Sequence, residues 1–178
     1  MKKIKLFGCE IRSECTNYIK KEYPFVELVR LDNNQCIKFD VITAFHVLEH
    51  FPEQLSTVKY LKTFLKKNGK LIIEVPHARD FLIENELIPD FKKFTFWSQH
   101  LILHTEHSLT KIFKSAGFKN IKIIYQQRYN FNNHNNWLTN KKPGGHNLMT
   151  KLNFEINKHY IDFLKKIRKT DTIIVEAS

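Results

Sequence analysis

The clearest pattern of hydrophobic and polar positions lies in residues 39–76. Residues 40–45 and 70–76 are short apolar runs rich in β-branched side chains, which is typical of buried strands. Between them, apolar residues recur at helical spacing: Leu55, Val58, Leu61 and Leu65. Asn68-Gly69 follows as a helix stop signal. The pattern predicts a right-handed parallel βαβ unit, with ligands bound beyond the carboxyl ends of its strands.

The rest of the chain continues the alternation of strands and helices. Further strands are predicted at residues 3–9, 25–31, 118–126 and 172–176. Helices are predicted at residues 12–22, 79–87, 105–116 and 148–168. Residues 89–96 form a predicted phenylalanine-rich loop, and residues 128–147 a longer, asparagine-rich one. The fold class that follows is α/β, in a single domain spanning residues 1–178.

Two stretches of the βαβ unit, FDVITAFHVLEHF and NGKLIIEVP, resemble class I S-adenosylmethionine-dependent methyltransferases. The string QQRYNFNNHNNWLTNKKPGGH resembles a narrower group from bacterial surface-polysaccharide clusters, and the resemblance covers residues 5–176. It implies a Rossmann-like, mostly parallel sheet whose last strand is antiparallel and lies between the two strands that precede it. It also implies S-adenosylmethionine as cofactor and a sugar or nucleotide-sugar as acceptor.

The chain departs from this family in its glycines. Class I methyltransferases carry a D-x-G-x-G turn that lets the backbone approach the cofactor closely, and none of the five glycines here forms it. The resemblance therefore implies a truncated domain that lacks the first, central strand and its helix. Three explanations stay open: a fragment, a rearranged sheet, or a homo-oligomer that completes the sheet. The alternative function is an inactive remnant or binding module that binds no cofactor.

The resemblance also assigns residues to the site. Cofactor-binding positions are Glu10, Asp32, Phe45 and His46. A carboxylate such as that of Glu10 accepts two hydrogen bonds from ribose hydroxyls, although a solvated glutamate is an equal alternative. Acceptor-binding positions in the predicted loop at 128–147 are Arg128, Tyr129, His134, Trp137 and His146. Arg128 suits a carboxylate or diphosphate, and Trp137 suits stacking on a sugar or base; a mobile loop with packed aromatics is the alternative.

Histidines provide the candidate chemistry. The resemblance places residues 99–107 beside the acceptor and makes His100 and His104 the predicted catalytic residues, because a histidine of near-neutral pKa can take a proton from an acceptor hydroxyl or acidic carbon. Ordinary hydrogen-bonded histidines near a loop are the alternative. His46-Val-Leu-Glu-His50 also matches H-x-x-E-H, a zinc-hydrolase pattern, but that chemistry needs both histidines on one helix face. Metal binding by His100, His104 and His107 requires a helix in the same way. We assign no metal ligand from the sequence.

Composition narrows the remaining function classes. The formal net charge is +11, but the lysines occur singly or in pairs, so attraction to phosphorylated small molecules is favoured over specific nucleic-acid binding. No apolar run is long enough to predict a membrane span. The three cysteines lack pairing or metal spacing and are predicted to be small buried residues of a reducing compartment, which favours a cytoplasmic protein.

Overall fold

The computed structural model describes residues 4–32, 37–145 and 151–178, with the side chains of all of these except 151–153. The chain divides into two compact units, Met1–Ile37 and Lys38–Ser178. The first unit contains strand β1 (Leu6–Gly8), helix α1 (Ser13–Glu22) and strand β2 (Val26–Leu28), and β1 pairs with β2 in parallel. Its helix and both strands confirm the predicted order of elements, with shorter strands than predicted.

The second unit is built on a four-stranded mixed sheet. Its strands are β3 (Phe39–Phe45), β4 (Leu65–Pro76), β5 (Ile121–Gln126) and β6 (Thr172–Ala177), in the order β3-β4-β6-β5. A 3₁₀ turn spans Leu48–His50, and the helices are α2 (Gln54–Thr63), α3 (Phe81–Glu84), α4 (Pro89–Thr95), α5 (Glu106–Ser115), α6 (Phe131–Asn140) and α7 (Lys151–Lys166). β6 runs antiparallel to both β4 and β5 and lies between them, which confirms the predicted position of the last strand.

The main core covers the central strands of this sheet. Alternate residues of β4 and β6 are fully enclosed: Leu71, Ile73, Val75, Ile173 and Val175. Leu109 and Phe113 of α5 and Val58 of α2 pack in the same cluster and expose no surface. Along β6 and the second half of β4 every second side chain is buried, and so are side chains four positions apart on α5. Amphipathic strands and helices show these spacings when they pack against the same core.

Four of the predicted elements differ from those in the structure. α2 ends at Thr63 because β4 begins at Leu65, so Asn68-Gly69 lies inside an irregular strand instead of ending the helix. A Cβ on Gly69 would approach the carbonyl oxygens of Phe39 and Lys66 to 3.0 Å, which explains the glycine. The phenylalanine-rich stretch forms α4, the helix at 79–87 shrinks to α3, and the long polar stretch contains α6.

Strand β3 is an edge of the four-stranded sheet within the described residues. None of its seven residues is buried, and Val41 and Phe45 expose about half of their surface, at 49% and 56%. A strand in a parallel sheet is usually covered on both faces and paired along both edges. The exposed side chains of β3 do not follow this rule, in contrast to the largely enclosed side chains of residues 71–76 in β4. In the part of the chain that the structure describes, no helix is both long enough and apolar enough to cross a bilayer.

Candidate active site at the carboxyl edge of the sheet

The ends of four strands meet at one edge of the sheet. Pro76 of β4 pairs with Thr172 of β6, which pairs with Gln126 of β5, and Phe45 of β3 pairs with Glu74. Residues that follow β3, β4 and β5 and those that precede β6 are therefore neighbours. This edge is where open α/β sheets place their ligands, and most of the predicted site residues of the second unit lie here.

His46, Glu74 and Arg128 form a charged cluster at this edge. His46 Nε2 lies 3.1 Å from Glu74 Oε1 and contacts Arg128 Nη1, and Arg128 Nη1 is 3.9 Å from Glu74 Oε1. The His46 backbone is left-handed, at φ +52°, and its N–H donates to the Glu74 carbonyl at 2.9 Å. Strained non-glycine backbone of this kind concentrates at functional sites. A residue predicted to bind cofactor and one predicted to bind acceptor are thus in contact.

Glu49 lies beside this cluster and is fully enclosed, with no exposed side-chain surface. Neither carboxylate oxygen has a hydrogen-bond partner among the described residues; His46 Nδ1 and His50 Nε2 are 3.4 and 3.8 Å from Oε1. Burial opposes ionisation, but the His46 ring, the residue's own backbone amide and the charge of His50 outweigh it and lower the pKa of Glu49. The carboxylate is therefore charged at neutral pH.

His50 and His100 approach Glu49 from two different segments. Their ring centroids are 5.3 Å apart, and one ligand-capable atom from each of Glu49, His50 and His100 lies within 4.8 Å of the others. The N–H groups of Leu101 and Ile102 donate to the Glu49 carbonyl at 3.0 and 3.4 Å, which holds the second segment against the 3₁₀ turn. This backbone contact explains how residues fifty positions apart meet.

The two predicted catalytic histidines have different surroundings. His100 is partly exposed, and its Nδ1 is 2.9 Å from the Thr95 carbonyl oxygen. His104 is 1% exposed, its Nδ1 is 3.2 Å from Ser108 Oγ, and burial lowers its pKa to about 4. A histidine of such low pKa is a weak base, because its protonated form is unfavourable in the enclosed position. The geometry therefore favours His100 over His104 for contact with an acceptor.

The predicted acceptor segment is anchored to β6 by Asp171. Its carboxylate accepts hydrogen bonds from the backbone N–H groups of Arg128 and Tyr129, at 3.0 and 2.9 Å, and from Gln127 Nε2 at 2.8 Å. Burial raises the pKa of Asp171, and the two backbone donors oppose that rise. The start of the segment is consequently a fixed strand end, and the side chains of Arg128 and Tyr129 project from it 45% and 47% exposed.

Two other predicted acceptor residues, His134 and Trp137, are enclosed in the fold. His134 is 1% exposed, with Nδ1 2.8 Å from Tyr160 Oη, and burial lowers its pKa to about 4. Trp137 is 3% exposed and packs edge-on against Phe91, with ring centroids 5.0 Å apart. In this conformation neither ring offers a face to a ligand. Both side chains pack on the domain, which is the alternative given above for this segment. His146 lies outside the described residues.

The predicted cofactor residues divide between the two units. Glu10 and Asp32 belong to the first unit and Phe45 and His46 to the second. Glu10 Oε1 accepts hydrogen bonds from the N–H groups of Arg12 at 2.9 Å and Ile11 at 2.8 Å, which lower the pKa of Glu10. Asp32 is exposed. The predicted burial of the cysteines is wrong for Cys9, which is exposed in the connection between β1 and α1, and for Cys15, which is only partly covered because no residue of α1 is buried. Cys36 lies outside the described residues.

The H-x-x-E-H pattern does not have zinc-hydrolase geometry. His46 follows β3 with a left-handed backbone, and His50 ends a separate 3₁₀ turn, so the two histidines do not share a helix face. His100 and His104 likewise precede α5, which begins at Glu106 and carries His107. Sequence reasoning passed over Glu49, His50, Glu74 and Asp171 as site residues. The available signal was Glu74, a charge inside the otherwise apolar run at 71–75.

Comparison with known proteins identifies the family of this chain. Residues 5–123 match the family described as "Methyltransferase domain", and this match covers more than half of the chain. The chain belongs to the methyltransferase domain family. One relative, a ubiquinone biosynthesis O-methyltransferase of Haemophilus ducreyi, is 42% identical over 50 residues, which is 27% of this chain and 21% of that protein. The chain thus matches about one fifth of the length of that relative.

Solved structures show the same fold at low sequence identity. An S-adenosylmethionine-dependent methyltransferase of Archaeoglobus fulgidus has a TM-score of 0.59 at 14% identity, covering 96% of this chain and 74% of its own. A possible histamine N-methyltransferase of Thermotoga maritima has a TM-score of 0.61 at 15% identity, covering 97% and 72%. Phosphoethanolamine N-methyltransferase 2 of Haemonchus contortus, solved with S-adenosylmethionine, has a TM-score of 0.55 at 13% identity, covering 97% and 43%. These likenesses support the predicted fold class.

Proposed function

We propose that this chain is a cytoplasmic S-adenosylmethionine-dependent methyltransferase that acts on a sugar or nucleotide-sugar of a surface polysaccharide. The observation that carries the proposal is the cluster of His46, Glu74 and Arg128 at the carboxyl edge of a methyltransferase sheet. It combines a strained strand end with a partly exposed guanidinium, where this fold binds its ligands. The sugar acceptor rests on the resemblance of the segment from Gln126 to His146.

Each unit carries a residue that suits the adenosine side of the cofactor. In the second unit, the exposed ring of Phe45 at the end of β3 offers an apolar surface to an adenine or ribose. In the first unit, the resemblance assigns Glu10 to the ribose, and its carboxylate, whose pKa is lowered, accepts hydrogen bonds as ribose recognition requires. Asp32 is assigned to the adenine amine by the same resemblance. For the methionine side no glycine turn is present: a Cβ on Gly8 would lie 3.2 Å from the side chains of Val26 and Leu28, so this glycine serves β1–β2 packing.

We further propose that the four-stranded sheet gains a strand along β3. The support is the position of β3 at the edge of the four-stranded sheet within the described residues, together with the exposure of Val41 and Phe45. A second copy of this chain or a segment beyond the present sequence would supply the strand. Such a strand would cover the edge, as natural sheets require, and bring backbone close to the cofactor.

On the acceptor side, Arg128 and Tyr129 are assigned to substrate contact. A guanidinium binds a diphosphate or carboxylate through paired N–H groups, and an exposed tyrosine ring stacks on a sugar face. His100 is assigned to removal of the acceptor proton. His134 and Trp137 act by holding α6 and the segment that precedes it in place, since both are buried.

S-adenosylmethionine supplies an activated methyl group on a sulfonium, so the chain has little covalent chemistry to perform. What its residues contribute is alignment of the nucleophile, together with acceptance of one proton. A specific observation favours the alternative of an inactive remnant: none of the five glycines stands in a D-x-G-x-G turn. The two hypotheses differ in whether any methyl transfer occurs.

The test is formation of S-adenosylhomocysteine by the purified chain with S-adenosylmethionine and a panel of nucleotide-sugars. We expect turnover with at least one of them, and Arg128→Gln to raise its KM roughly 10- to 100-fold, the loss of one charge-assisted contact. Arg30→Gln, an exposed arginine of the first unit, is the matched control and should leave KM unchanged. Absence of product with every member of the panel would contradict the sugar acceptor.

A further inference from the structure

We propose that Glu49, His50 and His100 form a binding site for a first-row divalent metal ion such as Zn²⁺. Their ligand-capable atoms, one from each residue, lie within 4.8 Å of one another. Donors bound to zinc at about 2.1 Å are roughly 3–4 Å apart, so small side-chain rotations would complete the site. Two imidazoles and one carboxylate are a mixed N/O set that suits Zn²⁺, Co²⁺ or Ni²⁺ better than Mg²⁺ or Ca²⁺.

The histidine tautomers are already those of metal ligands. His50 Nδ1 is 2.6 Å from the Gln99 carbonyl oxygen, and His100 Nδ1 is 2.9 Å from the Thr95 carbonyl oxygen. A carbonyl oxygen only accepts, so each Nδ1 carries a proton, which leaves Nε2 as the nitrogen that can bind a metal. Metal-bound histidines show the same arrangement, in which the second nitrogen donates to a backbone carbonyl and fixes the ring.

The carboxylate supplies an independent observation. Glu49 has no exposed side-chain surface, and both of its oxygens lack a hydrogen-bond partner among the described residues. A carboxylate removed from water is destabilised unless a hydrogen-bond donor or a metal ion compensates for the lost solvation. Its neighbours His46 and His50 are 3.4 and 3.8 Å away from Oε1 through ring nitrogens. A cation bound by His50 and His100 would give one of the two Glu49 oxygens a partner.

The position of this site gives the ion a role. Three protein ligands leave coordination positions open, and the partly exposed His50 and His100 form the accessible side. Trp97 packs against His100 with ring centroids 5.5 Å apart and is 47% exposed, next to those positions. A hydroxyl of the acceptor bound there would become more acidic and a better nucleophile. This role rests on the proposed methyltransferase function, whereas the metal site itself does not. With the ion bound, His100 Nε2 is a ligand and cannot take the acceptor proton, so the hydroxyl made acidic by the metal loses its proton to water instead.

The proposal is tested by zinc binding to the full chain after removal of metals with a chelator. We expect one equivalent of Zn²⁺ to bind, measured by competition with a chromophoric chelator. Glu49→Gln, His50→Gln and His100→Gln should each weaken the affinity by more than about 100-fold, beyond the 10- to 100-fold loss typical of a supporting group. His107→Gln, an exposed histidine of α5, is the matched control and should bind zinc like the wild type.

Two further readouts separate this site from surface histidines. Saturating zinc should raise the Tm of the wild type by about 5–10 °C at 100-fold above Kd, and should not raise that of His50→Gln. Co²⁺ should give visible absorption bands that disappear in His100→Gln and persist in His107→Gln. No stoichiometric binding, or equal losses in His107→Gln and His100→Gln, would overturn the proposal. Zinc binding without S-adenosylhomocysteine binding would uphold the metal site and contradict the proposed function.

Discussion

Replacement of Asp80 by asparagine tests the electrostatics of the fold around the site. Asp80 is 4% exposed and caps α3, with Oδ1 accepting a hydrogen bond from the Leu82 N–H at 2.7 Å. Burial, aided by the charges of Asp171 and Glu84, raises the pKa of Asp80 to about 8. An asparagine has the same shape and is an equally good N-cap, but it never has to be charged.

The magnitude follows from proton linkage. Unfolded aspartate has a pKa of about 3.9, so between about pH 4 and pH 8 the folded protein holds a proton that the unfolded chain releases. The free energy of unfolding of the wild type therefore loses about 1.4 kcal/mol per pH unit from this residue as pH rises. At pH 7 the accumulated loss of unfolding free energy is about 4 kcal/mol. Burying an asparagine amide at this position offsets part of the gain, so we expect Asp80→Asn to be roughly 2–4 kcal/mol more stable than the wild type.

The assay is urea unfolding of both proteins, followed by tryptophan fluorescence at pH 4.5, 6 and 7.5. The stability difference between variant and wild type should be small at pH 4.5 and should grow with pH. Taking the difference cancels contributions common to both proteins, such as those of His104 and His134. Asp90→Asn, at a 46% exposed side chain in α4, is the control and should give a flat difference. A flat difference for Asp80→Asn, or a variant less stable than the wild type at pH 7.5, would refute this reasoning.

Two further predictions concern the core and the buried histidine. Phe113→Ala, at a side chain with no exposed surface, should lower the free energy of unfolding by about 3–5 kcal/mol, whereas Phe96→Ala, 54% exposed, should change it by less than about 1 kcal/mol in urea titrations. Burial lowers the pKa of His134 to about 4, so the wild type loses stability from this residue as pH falls from about 6.5 towards 4. At pH 5, His134→Gln should lose about 2 kcal/mol less unfolding free energy than the wild type. An equal loss in the two proteins on acidification would contradict the low pKa assigned to His134.

The elements with strong periodicity were predictable from the sequence. β3, β4 and α5 follow from β-branched runs and from helical spacing, and the structure shows Thr105 capping α5 in a capping box. The βαβ unit and the place of β6 also follow from the pattern and the family resemblance. α6 was missed because asparagines dominate it, yet Asn130 accepts a hydrogen bond from the Asn133 N–H as an N-cap, and Trp137 faces the core.

The candidate site was predictable only in part. His46, Arg128 and His100 were named from the sequence, and the structure places them at one edge of the sheet. Glu49 and His50 could not be assigned to this site from the sequence, because nothing local shows that Leu101 and Ile102 bring His100 to the same place. The enclosure of His134 and Trp137 was also invisible, since it depends on Phe91 and Tyr160, which are distant in sequence.

The central claim, a methyltransferase that uses S-adenosylmethionine, is tested most directly by calorimetric titration of the purified full chain with S-adenosylhomocysteine. The account predicts saturable binding in the micromolar range, weakened by Phe45→Ala at the end of β3 and unchanged by Val41→Ala on the same strand. A folded protein that releases no binding heat with S-adenosylhomocysteine would contradict the account and would favour an inactive remnant that retains only the fold.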